Sequence, residues 1–126
     1  MTVLDTNFLI DILRGKGTSE AVDLIDNPKT TTINVFELYY GAGRSAKQEE
    51  SIAGIISLLR SIDVLDFDRK AAVKAAEIHA KLTNSGKLLD IQDVLIAGIV
   101  IANNEELLTR DVAHFNRIPG LRCRSW

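Results

Sequence analysis

The run Val94–Ala102 constrains this chain more than any other feature, because no side chain in it carries a polar atom. It falls well short of the ~18 apolar residues a membrane-spanning helix needs. From Asp90 to Ala102 the pattern is that of a helix apolar almost all round, and such a helix belongs in the middle of a folded domain. With 126 residues, 46% of them hydrophobic and 25% charged, the chain can bury it within one compact domain over residues 1–126. The same balance excludes a disordered chain.

Around that helix, short apolar or β-branched stretches alternate with helical patterns. Thr2-Val3-Leu4 reads as a buried strand, with Asp5-Thr6-Asn7 as turn and cap residues after it. Phe8 to Leu13 starts a helix that Gly15 and Gly17 end, and Ser19 to Ile25 has helical spacing up to Asn27-Pro28. Thr30 to Ile33 reads as a second strand, and Asn34 as the cap of a helix ending near Gly41 and Gly43. Lys47 to Ser61 is a long helical pattern, Val64 to Phe67 a strand, and Asp68 the cap of a helix to about Thr83. Leu107-Leu108-Thr109 is a strand, Asp111 opens a short helical turn, and Leu121 to Arg124 reads as a last edge strand. Strands separated by helices specify an α/β domain with a mostly parallel sheet. Such sheets bind ligands beyond the carboxyl ends of their strands.

Carboxylates collect at those ends. Asp5 follows the first strand, Glu37 lies a turn into the helix after the second, and Asp111 comes two residues after Thr109. Asp90 and Asp93, three apart, share a face at the start of the central helix. Singly, each has a plainer reading. Asp5, Asp90 and Asp111 suit helix caps, Asp93 suits the helix dipole, and Glu37 can lie on a solvated face. Together they repel: two such charges about 4 Å apart cost roughly 4 kcal/mol at an effective dielectric of 20. Either some take up protons or a divalent cation sits among them. With no cysteine nearby and only two histidines in the chain, the ligands are oxygens, which favours Mg²⁺ or Mn²⁺ over Zn²⁺. Ions held this way suit phosphodiester hydrolysis, by activating water and stabilising the leaving oxygen. They also attract phosphate, which offsets a net charge of −2 that argues against a broad basic surface.

These residues resemble the four motifs of the PIN-domain nucleases, in order and over nearly the whole chain. Val3-Leu4-Asp5-Thr6-Asn7-Phe8-Leu9-Ile10 is similar to the opening strand and first acid. Asn34 to Ala42 resembles the second motif, with Glu37 its glutamate. Asp90 to Ala97 resembles the third, with Asp93 the matched acid and Asp90 its companion, and Leu108 to Phe115 the fourth, with Thr109 and Asp111 as its polar pair. The Glu-Leu-x-Tyr-Gly form and the short length resemble the VapC toxin subgroup. The resemblance implies a sheet flanked by helices on both sides, RNA cleavage, a homodimer, and a VapB-type antitoxin whose C-terminal segment occupies the active-site groove. It implies Asp5, Glu37 and Asp93 as the core acids, with Asp111 and Asp90 beside them.

Other polar residues have two readings each. Thr6 and Asn7 can hydrogen-bond a metal ligand or phosphate, or simply cap the first helix. Thr109 can orient a carboxylate or water, or simply end its strand. Arg14, Lys16, Arg44, Lys47 and Arg110 lie near the motifs, with Arg44 and Arg110 as candidate RNA contacts against a reading as solvated charges. His114 can be a general base, but packing or a backbone hydrogen bond suits its place beside Phe115 better. Tyr39 and Tyr40 can stack on bases, with an interface or core role the stronger reading. The apolar residues of Lys47–Arg60 and the first helices exceed what a small sheet needs, which leaves surface for a second copy or an antitoxin. The single Cys123 allows no internal disulfide, and Met1–Asp5 lacks the features of a signal peptide, so a reduced, cytoplasmic setting is expected. The competing function is a non-catalytic PIN-type module that holds RNA or protein. A response-regulator receiver fits worse, because no adjacent acidic pair closes the N-terminal strand.

Overall fold

The sheet is built from five very short strands, all parallel. In a computed structural model describing residues 2–15 and 25–126, β1 (Thr2–Leu4), β2 (Lys29–Thr31), β3 (Asp63–Leu65), β4 (Glu106–Leu108) and β5 (Cys123–Arg124) lie in the order β3-β2-β1-β4-β5. Six helices accompany them among the described residues: α1 (Thr6–Leu13), α2 (Thr32–Gly43), α3 (Gln48–Leu59), α4 (Arg69–Asn84), α5 (Ile91–Ala102) and α6 (Val112–Phe115). The helix expected over Ser19 to Ile25 lies outside the described residues, apart from Ile25 itself.

Strand alternation distributes the core to both faces of the sheet. Val3 and Leu107, paired in register, point to one side, where they meet Ala75, Ile78 and Leu82 of α4 and Val94, Ala97 and Val100 of α5. Leu4 and Leu108, the next pair, point to the other, where they meet Phe8 and Leu9 of α1, Leu38 of α2 and Ile55 of α3. A strand buried on both faces needs no polar alternation, which is what Val3-Leu4 of β1 and Leu107-Leu108 of β4 supply at the centre of the sheet.

The central helix is as buried as its sequence demands: Val94, Ile96, Ala97, Ile99 and Val100 are all without solvent exposure. Gly98 sets its distance from α4. A Cβ added there would lie 2.7 Å from Ala75 Cβ and 2.8 Å from the Ala71 carbonyl oxygen, both on a rigid neighbouring helix. Gly98→Ala must therefore push α4 and α5 apart. We expect a loss of about 1–3 kcal/mol, read as a lowered midpoint in urea unfolding with an unchanged slope.

Several boundaries shift by one or two residues from the expectation, β3 to Asp63–Leu65, β4 to Glu106–Leu108 and β5 to Cys123–Arg124 among them, and two shifts bear on the site. The second strand stops at Thr31 rather than Ile33, and the cap of α2 is Thr31, not Asn34: the Thr31 hydroxyl accepts from the Asn34 backbone N–H at 3.2 Å. Strand register decides this, because Thr31 is the last residue paired with β3 and so the last with extended backbone. Asn34 thereby enters the first turn of α2 with its side chain released for another role.

Candidate active site

β1 is the middle strand: the chain runs from it through β2 to β3 on one side and then crosses back to β4 and β5 on the other. That reversal opens a crevice beyond the carboxyl ends of the strands. Asp5 stands at its centre, immediately after β1, as the cap of α1, and its side chain accepts from the Thr6 N–H at 2.9 Å. Capping and membership of the site are thus one role. Asp5 is buried and held from two further sides: the Thr109 hydroxyl donates to Oδ2 at 2.7 Å, and the Asn34 amide donates to Oδ1 at 3.3 Å. Thr109 therefore does orient a carboxylate. Asn34, wholly buried, also donates to the Thr6 hydroxyl at 2.9 Å, and Thr6 in turn donates to Glu37 Oε1 at 2.8 Å. One chain of hydrogen bonds thus runs from Thr109 through Asp5, Asn34 and Thr6 to Glu37.

Asp93 comes in from the first turn of α5, with His114 Nε2 at 2.8 Å from its Oδ2. His114 had been read as packed or backbone-bonded. It does pack edge-on against Phe115, but its polar partner is this carboxylate.

The three acids Asp5, Glu37 and Asp93 share a field. Burial raises the pKa of each above the ordinary carboxylate range. The Asp93 charge raises Asp5 further, and Asp5 and Asp93 both raise Glu37. Hydrogen bonds oppose these effects without cancelling them: Thr109, Thr6 and Asn34 at Asp5, Thr6 at Glu37, and His114, through its bond and its charge, at Asp93. Asp90 and Asp111 act on Asp93 as charges that raise it. Both occupy cap positions, of α5 and α6, yet neither side chain makes a capping bond, and both are exposed. The cap positions are as expected but lack the side-chain bond, so neither carboxylate is committed to its cap.

Such a set of carboxylate oxygens, buried at Asp5 and half-buried at Glu37 and Asp93, fits a hard divalent cation in donor chemistry. It is not a closed cage: among the described residues no three acidic, histidine or cysteine groups are gathered as a ready metal-binding cluster. Glu37 is tied to Thr6 and Asp93 to His114 instead.

The remaining candidates divide. Thr6 belongs to the network, whereas Asn7 is exposed. Arg44 is exposed and lies over the Tyr40 ring, 5.6 Å from its centroid, and Tyr40 stacks on Phe36 at 6.3 Å. Tyr39 and Tyr40 are solvent-exposed, so neither is a core residue. Arg110 is engaged by the Asp11 carboxylate and the Trp126 ring. Asn34 is the member that sequence reasoning missed. Its signal was a polar side chain three residues after a threonine that closes a strand.

Similarity to known proteins agrees with this geometry. A model of the PIN domain matches residues 2–121. The tRNA(fMet)-specific endonuclease VapC of Shigella flexneri is 32% identical, over 98% of this chain and 96% of its own. Among solved structures, DNA-bound VapBC from Salmonella typhimurium superposes with a TM-score of 0.93 at 30% identity, covering 99% of this chain and 97% of that one. VapBC2 from Rickettsia felis, bound to a promoter DNA fragment, gives 0.91 at 27% identity, over 99% and 98% of the two chains. Four acids in motif order, an all-parallel sheet that delivers them to one crevice, and full-length relatives place this chain in the PIN-domain family, within its VapC branch.

Proposed function

We propose that this chain is a divalent-metal-dependent endoribonuclease acting as the toxin of a toxin–antitoxin pair. The observation that carries the reading is the closeness of Asp5, Glu37 and Asp93, carboxylates from three elements: burial raises the pKa of each, the Asp93 charge raises Asp5 further, and the charges of Asp5 and Asp93 raise Glu37. These three would hold Mg²⁺ or Mn²⁺, with Asp90 and Asp111 at the outer edge. Bound there, the cation supplies Lewis-acid stabilisation of the phosphate and a more acidic water. The chain's own contribution is orientation. Thr109 and Asn34 fix both oxygens of Asp5, Thr6 fixes Glu37, and His114 fixes Asp93. Partners of this kind commonly carry a 10–100-fold share of metal affinity.

RNA is the substrate class, and tRNA(fMet), named for the Shigella relative, is the first to test. Purified protein is expected to cleave it with Mn²⁺ or Mg²⁺, to stop in EDTA, and to resume when the metal is restored. Equal cleavage in EDTA overturns the metal mechanism. Metal binding without cleavage of any RNA leaves the non-catalytic module.

A VapB-type antitoxin is the proposed partner, in keeping with the VapBC assemblies among the structural neighbours. A groove of about 450 Å³ beside the acids suits an inserted segment: Ile10, Leu13, Leu38 and Ile55 line it, together with Glu37 and Arg14. A homodimer would cover Phe36 and Tyr40, both more than half exposed on α2. Sedimentation showing a strict monomer at micromolar concentration contradicts it. The reaction is assigned to the cytoplasm, in line with the single free cysteine. No helix among the described residues is long and apolar enough to cross a membrane.

The raised carboxylates also fix a pH dependence. Each binds protons more tightly folded than unfolded. The stability this contributes is full below the unfolded pKa and is lost as pH rises through the raised folded value. In EDTA at about pH 7, Asp5→Asn is therefore expected to melt at or above the wild type. Its advantage should vanish as pH falls to about 4, where the wild-type carboxyl is protonated. A variant that melts lower at every pH would refute the cost of burying this charge.

A further inference from the structure

Arg110 lies between two residues of the site, Thr109 and Asp111, but its side chain leaves the crevice. The guanidinium meets the carboxylate of Asp11, which is only 4% exposed, and lies over the Trp126 ring at 4.9 Å from its centroid. Trp126 in turn packs edge-on against Phe8, at 4.9 Å between centroids, and Phe8 is wholly buried in α1. The segment 109–111 is thus mounted on α1 at two points. Thr109 bonds Asp5 at the N-terminal end of the helix, and Arg110 bonds Asp11 farther along it. The backbone between them is pinned as well: Thr109 N–H donates to the Arg124 carbonyl at 2.9 Å, and Asp111 N–H turns back onto the Thr109 hydroxyl at 3.1 Å. To these backbone bonds the Arg110–Asp11 contact adds a second side-chain tie to α1, which restrains the backbone that carries Asp111, whose charge acts on Asp93.

We propose that Arg110 is a positioning residue of the cleavage reaction, clamped between Asp11 and Trp126 so that Thr109 and Asp111 keep their places around Asp5. The clamp rests on the nuclease reading of the acids. It acts through geometry and not by gripping RNA: a planar guanidinium over an aromatic face and against a buried carboxylate is a site where lysine is no substitute. A carboxylate as buried as Asp11 is also costly to leave without its cation.

The test uses full-length Trp126→Ala, Trp126→Phe and Arg110→Lys, each measured for kcat and KM on tRNA(fMet) and for Mn²⁺ affinity by calorimetry. Trp126 touches neither the acids nor the crevice, so a merely structural role lowers the melting temperature and leaves these constants alone. The expected result for Trp126→Ala is an about 10-fold or greater fall in kcat and an about 10-fold weaker Mn²⁺ affinity, with KM changed less than about twofold. Trp126→Phe, which keeps a ring face for the guanidinium, restores most of both. Should Trp126→Ala fail to fold, Arg110→Lys, altered on a side chain more than half exposed, carries the same expectation. A rise in KM alone for Arg110→Lys would make Arg110 an RNA contact and overturn the clamp, as would unchanged kcat and Mn²⁺ affinity. If the wild type binds Mn²⁺ but cleaves nothing, the nuclease reading fails and the Mn²⁺ affinities alone decide the clamp. If it binds no Mn²⁺, both fall.

Discussion

Asp93→Asn and Asp5→Asn are each expected to reduce Mn²⁺-dependent RNA cleavage at least about 100-fold while the protein stays folded. Both changes keep the shape of the side chain and remove one negative charge from a pocket where burial, and lesser charge repulsion, already raise the pKa of both acids. Loss of charge costs cation affinity directly. The hydrogen-bond partners remain, since an asparagine oxygen can still accept from Thr109 or Thr6 at position 5 and its amide group can still bond His114 Nε2 at position 93. A thermal melt with increasing Mn²⁺ isolates the effect: wild-type protein is stabilised in proportion to the logarithm of free metal, and the variants lag behind it. A variant with wild-type cleavage and a wild-type Mn²⁺ response would remove that residue from the site.

Lys29→Met is expected to be strongly destabilising, costing about 3–5 kcal/mol. Lys29 opens β2 and pairs with Glu105, whose side chain is 1% exposed at the start of β4. This pair lies at the amino ends of the strands, the edge opposite the acids, so it belongs to the fold alone. Removing the ammonium leaves a carboxylate in the interior with no compensating cation. For a chain of this length the melting temperature should drop by about 10–20 °C. The double change Lys29→Met, Glu105→Leu should recover a large part of the loss, because it is the stranded charge that is expensive. If the double change is as unstable as the single one, packing around Lys29, and not the pair, carries the stability.

Much of this was legible in the amino-acid pattern because it depends on local chemistry. Asp68 was readable as a cap and does cap α4, accepting from Ala71 N–H at 2.9 Å. The apolar run after Asp93 was readable as a central helix, and the acids after short strands as the rim of a crevice. What stayed hidden depends on partners far away in the chain. Asp11, between Ile10 and Ile12, has the spacing of a solvent-facing helical residue, and only the approach of Arg110 makes its burial tolerable. His114 could not be assigned to Asp93 without knowing that α6 returns over the start of α5. Asn34 looked like a cap because asparagine before an apolar helix commonly is one. Thr31 took that place once β2 fixed where extended backbone ended.

The bond from Thr109 to Asp5 joins residues 104 positions apart, the first strand of the chain to the fourth. A polypeptide still being synthesised holds Asp5 long before it holds Thr109, and until then the middle strand lacks one of its two neighbours. Half-made or prematurely truncated products therefore carry the first acid without the pocket around it. Synthesis must pass Thr109 before Asp5 gains its full set of hydrogen-bond partners.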